Sequence, residues 1–88
     1  ARNISAENFA ERMRDLENVA TSFSGVDKAY AISAGREVRI IVNNQSIDDL
    51  SAIKLARDIA TKIESTMQYP GTIKVNVIRE TRAIEFAK

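Results

Sequence analysis

The pattern of hydrophobic and polar positions divides the chain into two helical and three extended segments. Two stretches repeat apolar residues at steps of three and four, which is typical of a helix with one buried face. Three shorter stretches alternate apolar and polar residues, which predicts half-buried strands. Along the chain the predicted order is helix, strand, strand, helix, strand.

The helices are predicted over about residues 6–22 and 47–68. Ser46 precedes the second helix and is predicted to be its N-cap, with Asp49 reaching back as a variant of the capping box. Gly25 suits the end of the first helix, because glycine readily takes the left-handed conformation found there. The apolar stripes are Phe9, Met13, Leu16, Ala20 and Phe23 in the first helix, and Ala52, Leu55, Ala56, Ile59, Ile63 and Met67 in the second.

The extended segments cover about residues 28–34, 37–42 and 72–80. A tight connection containing glycine joins the first two, which predicts a hairpin. After the third strand the apolar residues move from odd to even positions. This change predicts a bulge or turn near residues 79–82 and leaves open a further short strand over 83–87.

These elements predict an α+β fold in two layers, with both helices packed on one face of a small mixed sheet. The whole chain, residues 1–88, is expected to be a single domain. The order α-β-β-α-β(-β) is similar to a type II KH domain with shortened middle helices. It is also similar to a ferredoxin-like or ACT-type domain that lacks its first strand, and fold alone does not decide function between them.

Composition excludes several kinds of chemistry. The chain has no cysteine and no histidine, so it offers no thiol nucleophile, imidazole base, disulfide or Cys/His metal site. The adjacent acids Asp48 and Asp49 are better explained as a helix cap than as metal ligands. No apolar run approaches the ~20 residues of a membrane span, and no signal-peptide pattern is present. We therefore expect a cytosolic domain without catalytic residues, metal ligands or cofactor.

The positions of the basic residues indicate one candidate binding surface. The net charge of +1 creates no general attraction for nucleic acid, so RNA binding would need a local basic patch. The candidates are Arg36 and Arg39 near the hairpin and Arg79 and Arg82 at the end of the last strand. If these strands are neighbours, the arginines would share one surface for RNA phosphates. The alternative is that they pair with nearby glutamates.

Two other features, one tyrosine and one charged pair, admit a functional and a structural interpretation. Tyr30 would stack on a base if its strand faced RNA, although half-buried packing is the commoner role of a tyrosine on a strand. The pair Arg57 and Asp58 would dock a partner, but it also fits ordinary surface charge on a helix.

Three separated blocks resemble the C-terminal end of ribonuclease Y. They are Ser33 to Arg39 (SAGREVR), Leu55 to Ala60 (LARDIA) and Tyr69 to Ala83, which opens with Tyr-Pro-Gly and ends with Ile-Arg-Glu-Thr-Arg-Ala. The blocks stand in the family's order, and the resemblance extends over nearly the whole chain.

The resemblance implies a parent protein that is a bacterial endoribonuclease and initiates mRNA decay. Family members consist of an N-terminal membrane anchor, a coiled coil, a KH domain, a metal-dependent HD domain and this closing domain. The HD domain would hold the divalent metal ions with His and Asp ligands, so none of its ligand set maps onto this histidine-free chain. The KH loop Gly-x-x-Gly is also absent, because Gly25, Gly35 and Gly71 stand alone.

For residues 1–88 the resemblance implies a non-catalytic accessory domain on the cytoplasmic side of the membrane. It would pack on the HD domain, associate with a second copy, or dock decay partners. Its only link to the membrane would be the parent's anchor. An RNA-binding module that uses the arginine surface is the alternative.

Overall fold

The computed structural model describes residues 4–67 and 71–88, with side chains described from residue 10 onward. Its helices and strands confirm the α+β class. The elements are α1 (Ile4–Thr21), β1 (Val26–Ile32), β2 (Glu37–Asn43), α2 (Asp49–Thr66) and β3 (Lys74–Glu80). A short 3-10 turn, Ser33–Gly35, joins β1 to β2.

The sheet of the described residues has the strand order β1-β2-β3 and is mixed, as predicted. β1 and β2 form the predicted antiparallel hairpin, in which Ala31 lies opposite Val38. β2 and β3 run parallel, and Val38 lies opposite Val75. Parallel neighbours need a crossover connection, which α2 supplies.

The core lies between one face of the sheet and both helices. β2 provides its centre with Val38, Ile40 and Val42, each with 0% exposure. Successive strand residues point to opposite faces, so the Arg39 between them lies on the face without helices. The helices cover the core with Leu16 and Ala20 from α1 and with Leu55, Ile59 and Ile63 from α2.

The prediction that Ser46 caps the second helix is wrong, because Asp48 is the N-cap. Its extended backbone places the carboxylate so that Oδ1 accepts a hydrogen bond of 2.8 Å from the Ser51 N–H. Ser46 lies earlier, in a turn where its N–H donates to the Asn43 carbonyl. The helix therefore begins at Asp49, two residues after the predicted start.

The first strand ends earlier than predicted because of the backbone at the hairpin. Ser33 and Ala34 have φ values of 52° and 59°, in the left-handed region that a strand does not use. β1 therefore covers Val26–Ile32 rather than residues 28–34.

No further strand forms over residues 83–87, and β3 ends at Glu80. The segment 81–88, called the tail below, is exposed throughout. Its apolar side chains Ile84 and Phe86 are 71% and 82% exposed. The change of the apolar residues to even positions therefore marks a segment that has left the sheet. It does not mark a bulge within β3.

Two predicted features lie outside the described residues or side chains. They are the contribution of Phe9 to the first apolar stripe and the helix-ending role of Tyr69 and Pro70.

We expect Gly25→Ala to lower the free energy of unfolding by about 1–3 kcal/mol. Gly25 has a φ of +92°, and an added Cβ would lie 2.8 Å from Cδ1 of Ile47. Gly71→Ala is the matched control, because Gly71 also has a positive φ but no atom within 4 Å of an added Cβ. Urea unfolding should show that Gly71→Ala loses less free energy of unfolding than Gly25→Ala. Equal losses would contradict the close contact between Ile47 and a side chain at position 25.

We expect the cap at Asp48 to make stability pH-dependent. The hydrogen bond from the Ser51 backbone lowers the pKa of the Asp48 carboxyl below its ordinary value of 3.8. A lowered pKa in the folded state adds stability above pH 3.8, and this stability is lost as the pH falls through the folded value. Asp48→Ala should therefore melt a few degrees below the wild type at pH 7, and the gap should narrow toward pH 3.

Asp48→Asn is the control for this prediction, because asparagine caps a helix without titrating. Thermal unfolding followed by circular dichroism should give Asp48→Asn a melting temperature near that of the wild type at pH 7. A gap between wild type and Asp48→Ala that stayed constant with pH would show that the charge of the cap contributes nothing.

Candidate functional site

Arg36 and Arg39 lie where β2 begins. Arg39 is on the open face of the sheet, and its Nη2 is 3.6 Å from Glu37 Oε2. Arg36 lies in the hairpin connection, and its carbonyl accepts a 2.8 Å hydrogen bond from the Lys74 N–H at the start of β3. The Arg36 side chain is exposed, so this end of the sheet presents the basic side chains of Arg36, Arg39 and Lys74.

Arg79 has a structural role on the opposite face, where it holds the loop between β2 and α2. Its Nε donates to the Ile47 carbonyl at 2.8 Å, and its Nη2 donates to the Asn44 carbonyl at 3.1 Å. Nη1 is paired with the carboxylate of Asp49, in the first turn of α2. All three nitrogens of this guanidinium are therefore occupied within the domain.

Arg82 lies at the start of the tail and is paired with Glu80. Its Nε donates to Glu80 Oε2 at 2.9 Å. This hydrogen bond, with the charge of the same carboxylate, raises the pKa of Arg82 above its ordinary value. Asp27 and Tyr30 of β1 act on this pKa in the same direction.

The four arginines do not form one continuous surface, although β2 and β3 are neighbours. The register pairs Glu37 with Lys74 and Val42 with Arg79. Arg36 and Arg79 are thus separated by about six residues of strand, roughly 20 Å. Arg39 and Arg79 also point to opposite faces. RNA binding by Arg36, Arg39, Arg79 and Arg82 stays a prediction. The accessible members are Arg36 and, with 46% and 47% of their side chains exposed, Arg39 and Arg82.

The open face of the sheet brings together residues that the sequence pattern did not associate. Tyr30 lies opposite Arg39, and Arg39 lies opposite Asn76 on β3. Tyr30 is 46% exposed, which is a half-buried position. The Asn76 side chain donates to Glu37 Oε2 at 3.3 Å, so Glu37 is shared between Arg39 and Asn76.

A mostly apolar groove of about 190 Å³ lies between the C-terminal half of α2 and the first part of β3. Glu64 supplies a carboxylate at its wall. The sequence marked most of these side chains as core, because they follow the apolar pattern of α2 and β3. The apolar wall of the groove includes Ile63, Met67, Ile73 and Val75.

The solvent side of α2 carries two large apolar side chains. Leu50 is 77% exposed and Ile53 is 58% exposed. Residues three apart are neighbours on a helix surface, so the two form one patch. Arg79 fixes this end of α2 through Asp49, beside Leu50. Asp58 accepts a 2.8 Å hydrogen bond from Lys54 Nζ, and docking of a partner by Arg57 and Asp58 stays a prediction.

Two negative findings concern the part of the chain that the structure describes. Within residues 4–67 and 71–88, no group of three or more acidic, histidine or cysteine side chains is arranged to hold a metal ion. None of the helices in these ranges is long and apolar enough to cross a membrane.

Comparison with known proteins gives close similarity over the whole chain. It is 61% identical over all 88 residues to the Ribonuclease Y of Syntrophomonas wolfei. It is 58% identical over the same length to that of Dehalococcoides mccartyi and 60% identical to that of Borreliella afzelii. The chain spans 17% of the length of each of these curated relatives.

No family model matches the chain. No solved structure matches it either.

We expect Arg79→Ala to lower the free energy of unfolding by about 1–2 kcal/mol, because two loop carbonyls and a carboxylate lose their partner. Arg82→Ala is the control, since the ion-pair partner of Arg82 is the half-exposed Glu80, and this variant should change stability by less than about 0.5 kcal/mol. Urea unfolding of both variants measures the difference. Equal stability of the two would show that the Arg79 contacts do not hold the loop.

Proposed function

Since all 88 residues match the C-terminal portion of ribonuclease Y at 58–61% identity, the chain belongs to the ribonuclease Y family, and we propose that it is a non-catalytic docking domain of the parent nuclease. Docking here means packing on the remainder of that nuclease and self-association with a second copy. The chain makes up 17% of its relatives' length, so the remaining residues are available as the surface on which it packs.

In this proposal the parent is an endoribonuclease that initiates mRNA decay and carries its chemistry elsewhere. A metal-dependent HD domain would supply the His and Asp ligands for divalent ions. An N-terminal anchor would hold the parent at the cytoplasmic face of the membrane, with this domain in the cytoplasm. What supports a separate catalytic domain is that this chain has no histidine to contribute to such a ligand set.

The exposed patch of Leu50 and Ile53 is the single observation that carries the packing of this domain on the rest of the nuclease. Large apolar side chains with more than half of their surface exposed gain free energy when a partner covers them. The pairing of Arg79 with Asp49 holds the first turn of α2 against β3, so the patch is presented in a fixed position. A preorganised surface loses less entropy on binding than a mobile one.

We expect the double variant Leu50→Lys plus Ile53→Lys to weaken binding to the rest of the nuclease by at least about tenfold. The measurement is a calorimetric titration of the 88-residue chain into a ribonuclease Y from which the matching C-terminal residues are removed. Thr61→Lys is the control, because Thr61 is exposed farther along α2 and its hydroxyl donates to the Arg57 carbonyl of the same helix. Binding that is unchanged in the double variant would remove this patch from the proposal.

A cleavage assay tests the non-catalytic part separately. The 88-residue chain is incubated with single-stranded RNA and Mg²⁺ or Mn²⁺, and the RNA is expected to stay intact. Metal-dependent cleavage that copurifies with the chain would overturn the non-catalytic role, whatever the titration shows.

A further inference from the structure

The two outer strands of the sheet differ in how their free edges are protected. On β1, the backbone N–H of Ala31 donates to Glu17 Oε2 of α1 at 2.8 Å. The register of β1 is also interrupted between Val26 and Lys28, which is the sign of a bulge. Bulges and capped edge groups prevent a further strand from pairing. The free edge of β1 is therefore protected from pairing with a further strand.

The edge of β3 has no such protection among the described residues. The N–H of Lys74 points to β2, where it donates to the Arg36 carbonyl. Successive residues of a strand direct their backbone groups to alternate sides, so those of Val75 and Val77 point outward. No described strand pairs with them. An unpaired row of this kind is a template for an added strand.

The groove beside this edge is shaped to accept side chains of such a strand. Val75 and Val77 are only partly buried, whereas their register neighbours Val38 and Ile40 on β2 have 0% exposure. α2 thus covers the outer strand incompletely and leaves the groove of about 190 Å³. A strand added to β3 would direct every second side chain toward this groove.

The tail has the properties expected of a strand that pairs with the free edge of β3. Ile84 and Phe86 are two residues apart, so in an extended segment they point to the same side. Both are strongly exposed, at 71% and 82%. Basic residues, Arg82 and Lys88, lie on either side of this pair, and the groove carries the carboxylate of Glu64. The tail and the groove are complementary in apolar character and in charge.

The tail is directed away from the free edge of its own β3. The side-chain amide of Asn44, in the loop after β2, donates to the hydroxyl of Thr81. This contact holds the start of the tail against the loop after β2, on the side of β3 opposite its free edge. The edge of β3 therefore remains available to another molecule.

We propose that the tail of a second copy of this chain pairs with the free edge of β3 and places Ile84 and Phe86 in the groove between α2 and β3. The inference deepens the self-association part of the proposed function and does not involve the Leu50 patch. Reciprocal exchange of the two tails closes a symmetric dimer, whereas one-way exchange gives an open chain of copies.

Light scattering over a concentration series tests the association. We expect the 88-residue chain to form dimers, and Phe86→Lys to weaken their formation by about tenfold or more. Ala87→Lys is the matched control, because Ala87 is also exposed in the tail but points to the other side of an extended segment. A wild-type chain that stays monomeric at high concentration would overturn the inference. So would equal weakening by the two variants.

A disulfide cross-link tests where the tail lies, and the absence of native cysteine makes it unambiguous. Val75→Cys alone and Phe86→Cys alone are mixed and oxidised, and we expect a linked dimer that contains one copy of each. Glu85→Cys is the control in place of Phe86→Cys, since Glu85 points to the other side of an extended tail. If the double variant Val75→Cys plus Phe86→Cys forms its disulfide only within one chain, the tail folds back on its own β3 and the exchange is wrong.

Discussion

The buried side of β2 is the constraint on which the rest of the domain depends. Val38, Ile40 and Val42 have 0% exposure because β2 lies between two strands and beneath both helices. Their burial requires α1 and α2 to occupy the same face of the sheet. It also requires the opposite face to remain open, since strand residues alternate. The position of Arg39 on that open face follows directly.

The connection from β2 through α2 to β3 is stabilised by a charge and not by apolar packing alone. Arg79 joins the end of β3 to the loop before α2 and to the first helical turn. A guanidinium with this many partners is a poor candidate for RNA phosphate, although sequence reasoning grouped it with exposed arginines. The exposed patch of Leu50 and Ile53 depends on the same contacts, because they fix the end of α2.

The domain leaves two apolar surfaces open. Leu50 and Ile53 face outward on α2, while the groove beside β3 lies at the C-terminal half of the same helix. The chain spans 17% of the length of its ribonuclease Y relatives. In a longer protein, apolar side chains exposed on one domain can be covered by another part.

The sequence by itself determined the order of elements, the α+β class, the mixed sheet and the family. Periods of 2 and 3.6 residues record which side of each element is buried, and these periods are local. The sequence placed the helix cap among Ser46, Asp48 and Asp49. Only the structure decided that Asp48 is the N-cap, that the four arginines are separated and that Ile84 and Phe86 are exposed. Each of these depends on partners distant in sequence or on backbone angles that several polar residues permit. The pattern Ile84-Glu85-Phe86 is typical of a strand, but a strand forms only where an edge is within reach, and Asn44 and Thr81 lead the tail elsewhere.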